Sequence, residues 1–197
     1  MISAARLDAL SDGLFGVAMT LLVLDLRLPE DFHPADGQEL LKALLALAPK
    51  FFPYALSFLV LGLRWRSLVR TRTAESFGMG YFYWWLAFLL LVTCVPFSTT
   101  VVGRFPNLAP AVWLYAGNTA LIAVAAYGML RESPVEHGAL VRERQVSLAL
   151  LLISSLLTMA WSVVTPRAAL APLALNAAGP VLSRWLSSRI PSHPAKH

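Results

Sequence analysis

The apolar residues of this chain fall in long blocks, not at the one-in-three or one-in-four spacing of a helix with a single buried face. A helix needs about 20 largely apolar residues to cross a bilayer. Five segments meet or approach that length. Leu40 to Leu63 is apolar apart from Lys42 and Lys50 near its start. Met79 to Val102 is the most hydrophobic, with Tyr81, Tyr83, Trp84 and Trp85 gathered at one end as an interfacial aromatic belt would be. Leu108 to Leu130 and Val146 to Val164 follow, and Ala168 to Leu186 is less apolar and interrupted by Pro172 and Pro180.

The first segment differs. Its uncharged core, Gly13 to Leu24, has 12 residues between Asp12 and the pair Asp25 and Arg27. At about 1.5 Å per residue it is too short to cross about 30 Å of hydrocarbon on apolar residues alone. Two readings compete: an interfacial or re-entrant piece, or a full helix from Ala4 to Leu28 whose charged ends are shielded by protein or water. Acidic residues near membrane depth face a bundle interior or a wet cavity, so the second reading puts this helix inside the assembly. The pattern as a whole predicts an all-α membrane protein with six transmembrane helices. They form one domain over residues 1–187, and a loosely ordered cytoplasmic tail follows over 188–197.

Charge fixes the expected orientation. With six spans, one side collects Arg6, Arg64, Arg66, Arg70, Arg72, Arg131, Arg142, Arg144, Arg184, Arg189 and Lys196, and the other only Arg27, Lys42, Lys50, Arg104 and Arg167. The positive-inside rule assigns the richer side, and both termini, to the cytoplasm of a plasma-membrane protein. Topology thus accounts for the net charge of +5, and no nucleic-acid partner is needed. The chain is 57% hydrophobic and 14% charged, against about 25% charged for a soluble domain, which excludes an ordinary soluble fold. The first dozen residues carry Asp8 and Asp12 beside Arg6, and no small-residue cleavage site follows, so the segment is not expected to be a removable signal.

Site chemistry is sparse. The one cysteine, Cys94, lies in an apolar run and is expected to be buried and inert. The histidines, His33, His137, His193 and His197, lie in loops or the tail, and Gly78 and Gly80 make a G-x-G too short for a nucleotide site. No G-x-S-x-G, H-E-x-x-H or potassium-filter TVGYG run occurs. No enzyme activity, cofactor or metal is therefore expected. Asn118, Asn176 and the stripe Ser154, Ser155, Thr158 and Ser162 are membrane-depth polar residues, which are more often packing contacts than a permeation path.

On the first helix, residues three and four apart share a face. That face runs Val17, Leu21, Leu24 and Leu28, with Thr20 beside Leu21, and Gly13 and Gly16 permit close helix approach. Copies of the helix around an axis would stack rings of branched apolar side chains with one hydroxyl ring, and narrow hydrophobic rings gate ions by dewetting. A helix packed in an ordinary core would show the same pattern.

The run from Arg6 through Leu10-Ser11-Asp12 and on through Val17-Ala-Met-Thr20-Leu21-Leu-Val-Leu24 resembles the signature of the transmembrane-protein-175 family of potassium channels. The family pattern is Arg, three residues, Phe-Ser-Asp, then an Ala-Ile-x-x-Thr-Leu-Leu-Val-Leu-like stretch. Here Leu10 stands for Phe, and Val17 for the usual Ile or Leu. Tyr54-Ala-Leu-Ser-Phe-Leu-Val-Leu-Gly, Val95-Pro-Phe-Ser-Thr-Thr-Val-Val-Gly103 and Leu114-Tyr-Ala-Gly-Asn118 resemble the second, third and fourth helices of the family. Trp65 is present, but the run Arg64-Trp65-Arg66-Ser67 lacks the histidine often found there. The resemblance implies a homotetramer that passes potassium ions through a pore lined by helix 1. Val17, Leu21 and Leu24 would be its constricting rings and Thr20 its hydroxyl layer, and Arg6, Ser11 and Asp12 a cytoplasmic network fixing the helix. The alternative is a small ion- or proton-coupled transporter titrating Asp12 or Asp25, and a non-conducting scaffold is a third.

Overall fold

A computed structural model describes residues 2–70, 76–133 and 139–164. The sixth expected span, Ala168 to Leu186, and the tail lie outside the described residues. Helix α1 (Ala4–Leu21) runs into a 3-10 turn, Leu22–Asp25. At about 1.5 Å per α-helical and about 2.0 Å per 3-10 residue, the two together measure about 35 Å, enough to cross a bilayer. The first segment is therefore a full helix, ending at Asp25 rather than Leu28, and its hydropathy is high enough for a span despite the charged flanks. Just ahead of it, β1 (Ile2–Ser3) pairs antiparallel with β2 (Ser76–Phe77), tying the chain start to the entry of the fourth helix.

The second expected span is a bent pair. Asp36 caps α2 (Gly37–Ala46) by accepting from the Glu39 N–H at 2.7 Å, while the Glu39 carboxylate accepts from the Ala35 N–H at 2.7 Å, a reciprocal capping arrangement. Helix α3 (Ala48–Arg70) begins after one intervening residue, Leu47, and turns away by 46°. Pro49, in its first turn, has no N–H to continue the preceding helix. Helix α2 buries no residue, and Leu41, Leu44 and Leu45 are exposed along it.

The third span is also interrupted. Helices α4 (Met79–Thr93) and α5 (Val95–Arg104) meet at Cys94, where Pro96 removes a backbone donor. Asn118 Nδ2 donates to the Leu91 carbonyl at 3.1 Å, covering a backbone oxygen beside the break. Cys94 itself is exposed at the joint, not buried as its apolar surroundings suggested. The aromatic group at the start of α4 divides: Tyr81 and Trp85, four residues apart, are buried, while Tyr83 and Trp84 face outward as an interfacial belt would.

Helix α6 (Ala109–Glu132) is the central element, and α7 (Ala139–Val164) packs along it. Its buried face is rich in small residues, Ala116, Ala123, Ala125, Ala126 and Gly128, which let neighbouring backbones approach closely. A Cβ added at Gly128 would overlap the Trp84 indole. The polar stripe of α7 is buried: Ser154 and Ser155 donate to the Leu151 carbonyl, and Ser162 donates to Met159 and accepts from Trp113 Nε1 at 2.9 Å. The Trp113–Ser162 bond joins this stripe to α6, and Thr158 Oγ1 is buried with no hydrogen-bond partner among the described residues. Together with α1, α4/α5, α6 and α7, the bent α2–α3 pair brings the helical units long and apolar enough to span a membrane to five among the described residues.

A chain of buried hydroxyls joins three helices at membrane depth. Thr99 on α5 donates to the Val95 carbonyl at 2.8 Å, which leaves its oxygen to accept from Ser57 Oγ on α3, also at 2.8 Å. Ser57 Oγ can then accept from Tyr115 OH on α6 at 2.9 Å. Every hydroxyl proton in the series has a destination, as buried polar groups require.

Candidate functional site

Helix α1 has two unlike faces. Leu7, Ser11, Phe15, Ala18 and Leu22, spaced three or four apart, are buried against the rest of the subunit. Phe15 is only 1% exposed, with its ring centroid 6.0 Å from that of Phe88 on α4. On another side of the helix, Val17, Leu21 and Leu24 are 55%, 44% and 63% exposed. Thr20 is exposed beside them, and its hydroxyl donates to the Val17 carbonyl at 2.9 Å and the Gly16 carbonyl at 3.0 Å. No atom approaches within 4 Å of where a Cβ would stand at Gly13 or Gly16, so neither glycine serves close packing inside the subunit.

Both ends of the helix are fastened by polar bonds. At the N-terminal end, the buried Ser11 hydroxyl donates to the Leu7 carbonyl at 2.7 Å and accepts from Trp85 Nε1 at 3.0 Å. One residue on, Asp12 Oδ1 accepts from Trp65 Nε1 on α3 at 2.8 Å. The structure therefore brings Ser11 and Asp12 to indoles on two different helices. Arg6 stands apart: it is exposed, and among the described residues it bonds to neither. At the other end, Asp25 Oδ1 accepts from Arg104 Nε at 3.3 Å and pairs with Arg104 Nη2 at 3.3 Å, joining the 3-10 turn to the end of α5.

Sequence reasoning missed the two tryptophans as anchors. The signal was present in Tyr81, Trp85, Phe88, Leu89 and Val92, an i, i+4, i+7, i+8, i+11 series that marks Trp85 as inward-facing. For the transporter reading, Asp12 and Asp25 are each engaged by a donor from another helix.

A multi-span helical membrane protein with one helix fastened at both ends and apolar along its outward side is the class this fold defines. The sequence profile of the family described as endosomal/lysosomal potassium channel TMEM175 matches residues 6–96. A potassium channel of Chamaesiphon minutus is 34% identical over 127 residues, 60% of each chain. One of Streptomyces collinus is 32% identical over 130 residues, 64% of this chain and 60% of that one. The matched region thus spans about 60% of the length of these curated relatives. Over nearly the whole fold, the structure resembles the crystal structure of a lysosomal potassium-selective channel TMEM175 homolog from Chamaesiphon minutus. The TM-score is 0.75 at 26% identity, covering 93% of this chain and 97% of that one. Over residues 6–96 in sequence and over nearly the whole fold, the chain is similar to the TMEM175 family.

Proposed function

We propose that this chain is the subunit of a homotetrameric, potassium-permeable channel in the plasma membrane, with α1 from each subunit lining the pore and both termini in the cytoplasm. The observation that carries the reading is the outward face of α1. A helix fastened at both ends leaves Val17, Leu21 and Leu24 uncovered by its own subunit, with Thr20 among them. Relatives described as potassium channels support it.

In that assembly Val17, Leu21 and Leu24 form successive apolar rings, which hold back ions by dewetting where they narrow. Thr20 supplies the hydroxyl layer. Its proton is committed to its own helix, which leaves the oxygen lone pairs for a passing cation. Gly13 and Gly16 leave space for a neighbouring subunit, and Ser11 and Asp12, held by Trp85 and Trp65, set the rotation of the helix about its axis. Conduction is passive and needs no cofactor.

Purified protein in liposomes under a potassium gradient tests this. Flux should reverse near the potassium equilibrium potential, Leu21→Ala and Leu24→Ala should raise conductance, and Thr20→Ala should lower the preference for potassium over sodium. No potassium flux from folded, reconstituted protein would sink the proposal.

A further inference from the structure

We propose that the cavity between the far end of α1 and the α2–α3 elbow holds the headgroup of a monoanionic phospholipid. Its volume is about 560 Å³, within the range of about 300–1,000 Å³ that ligand pockets occupy. Three cations line it, Arg27, Lys50 and Arg104, against two carboxylates, Asp25 and Glu30, which leaves one net positive charge. Both carboxylates are already engaged, Asp25 by Arg104, and Glu30 Oε1 by accepting from Arg27 Nη1 at 3.2 Å. Lys50, in the first turn of α3, is half-buried, and among the described residues its ammonium has no ion pair or hydrogen bond. A partly desolvated charge calls for a counter-charge, so the cavity lacks one anion.

Position and lining select the ligand. Helix α1 and its 3-10 turn are long enough to cross the bilayer, which sets Asp25, and the cavity with it, at the membrane boundary where lipid headgroups lie. Leu28, Phe32 and Leu47 supply apolar walls. The cavity is far larger than a carboxylate and admits a phosphodiester with its polar substituent. A phosphodiester carries one negative charge, which matches the net charge of the lining, and its free oxygens can accept from Lys50 and Arg104. A hydroxylated substituent such as glycerol can donate to Asp25 and Glu30. Leu41, Leu44 and Leu45, exposed on α2, leave that helix open to the acyl chains. The site requires the chain in a bilayer and does not depend on conduction.

Melting of the full-length protein in dodecyl maltoside tests the proposal, with phosphatidylglycerol or phosphatidylcholine added at equal mole fraction. Wild type should show a saturable rise of about 5 °C with phosphatidylglycerol, and none with phosphatidylcholine or with soluble glycerol 3-phosphate. Lys50→Gln should abolish the rise. Lys42 is exposed on α2 outside the cavity, so Lys42→Gln should keep it. No rise in wild type, an equal rise with phosphatidylcholine or glycerol 3-phosphate, the same rise in Lys50→Gln, or an equal loss in both lysine variants overturns the proposal. If Lys50→Gln does not fold, electron cryo-microscopy of wild type in phosphatidylglycerol nanodiscs decides. A lipid phosphate in contact with Lys50 Nζ is expected, and an empty cavity, or one filled by the chain or by a second copy, is refuting.

Discussion

Replacing Phe15 by alanine, beside Val17 by alanine, separates the two faces of α1. The Phe15 ring is almost fully buried, wedged toward Phe88. In a bilayer the surrounding lipid is about as apolar as the side chain, so the transfer contribution that dominates in water is small. What remains is the cavity. Removing about 100 Å³ of ring at about 24 cal/mol per Å³ costs about 2.4 kcal/mol, roughly 50-fold in the folded-to-unfolded ratio. Val17 is more than half exposed within the subunit, so its truncation should change stability by no more than about 0.5 kcal/mol. Unfolding in mixed micelles with rising dodecyl sulfate, followed by far-UV circular dichroism, reads both values, and flux on the same preparations reads conduction. Phe15→Ala should lose stability while its folded fraction conducts, and Val17→Ala should keep stability and change flux. Equal losses of stability in the two variants would refute the division of the helix into a packed face and a free one.

Three further substitutions probe the bundle that holds α1. Ser57→Ala should cost about 1–3 kcal/mol by leaving Tyr115 OH buried without an acceptor. Tyr115→Phe should cost less, because Ser57 still donates to Thr99, and the order of the two midpoints in the same unfolding assay checks this. Gly128→Ala should destabilise by about 1–3 kcal/mol as the new methyl displaces the Trp84 indole, and loss of the native Trp fluorescence signal at a lower detergent fraction would show it.

Much of the fold was legible because a membrane imposes run length directly. The blocks from Leu108 to Leu130 and Val146 to Val164 reappear as α6 and α7, each extended by residues a hydropathy block does not include. The breaks were harder to read. Pro49 and Pro96 both mark an interruption, yet Pro53 sits inside α3 without ending it, so proline alone does not say which position bends. Cys94 and Trp85 were misplaced for one reason: hydropathy is averaged over a window and does not resolve which side of a helix faces its neighbours. The outward face of α1 could be written down from spacing. The partners of Ser11, Asp12 and Asp25 could not, because Trp85, Trp65 and Arg104 lie 53 to 79 residues further along the chain.

The polar bonds at both ends of α1 have a mechanical consequence. A rod held by indoles at one end and by a guanidinium at the other cannot slide along its axis like a piston without breaking both fastenings. One motion remains open to it, a bow at its middle. Gly13 and Gly16, with nothing packed against them, lie in the stretch between the fastenings where such bending meets least resistance. In a ring of such rods, a slight bow in each would widen or narrow the centre while every anchor stayed in place.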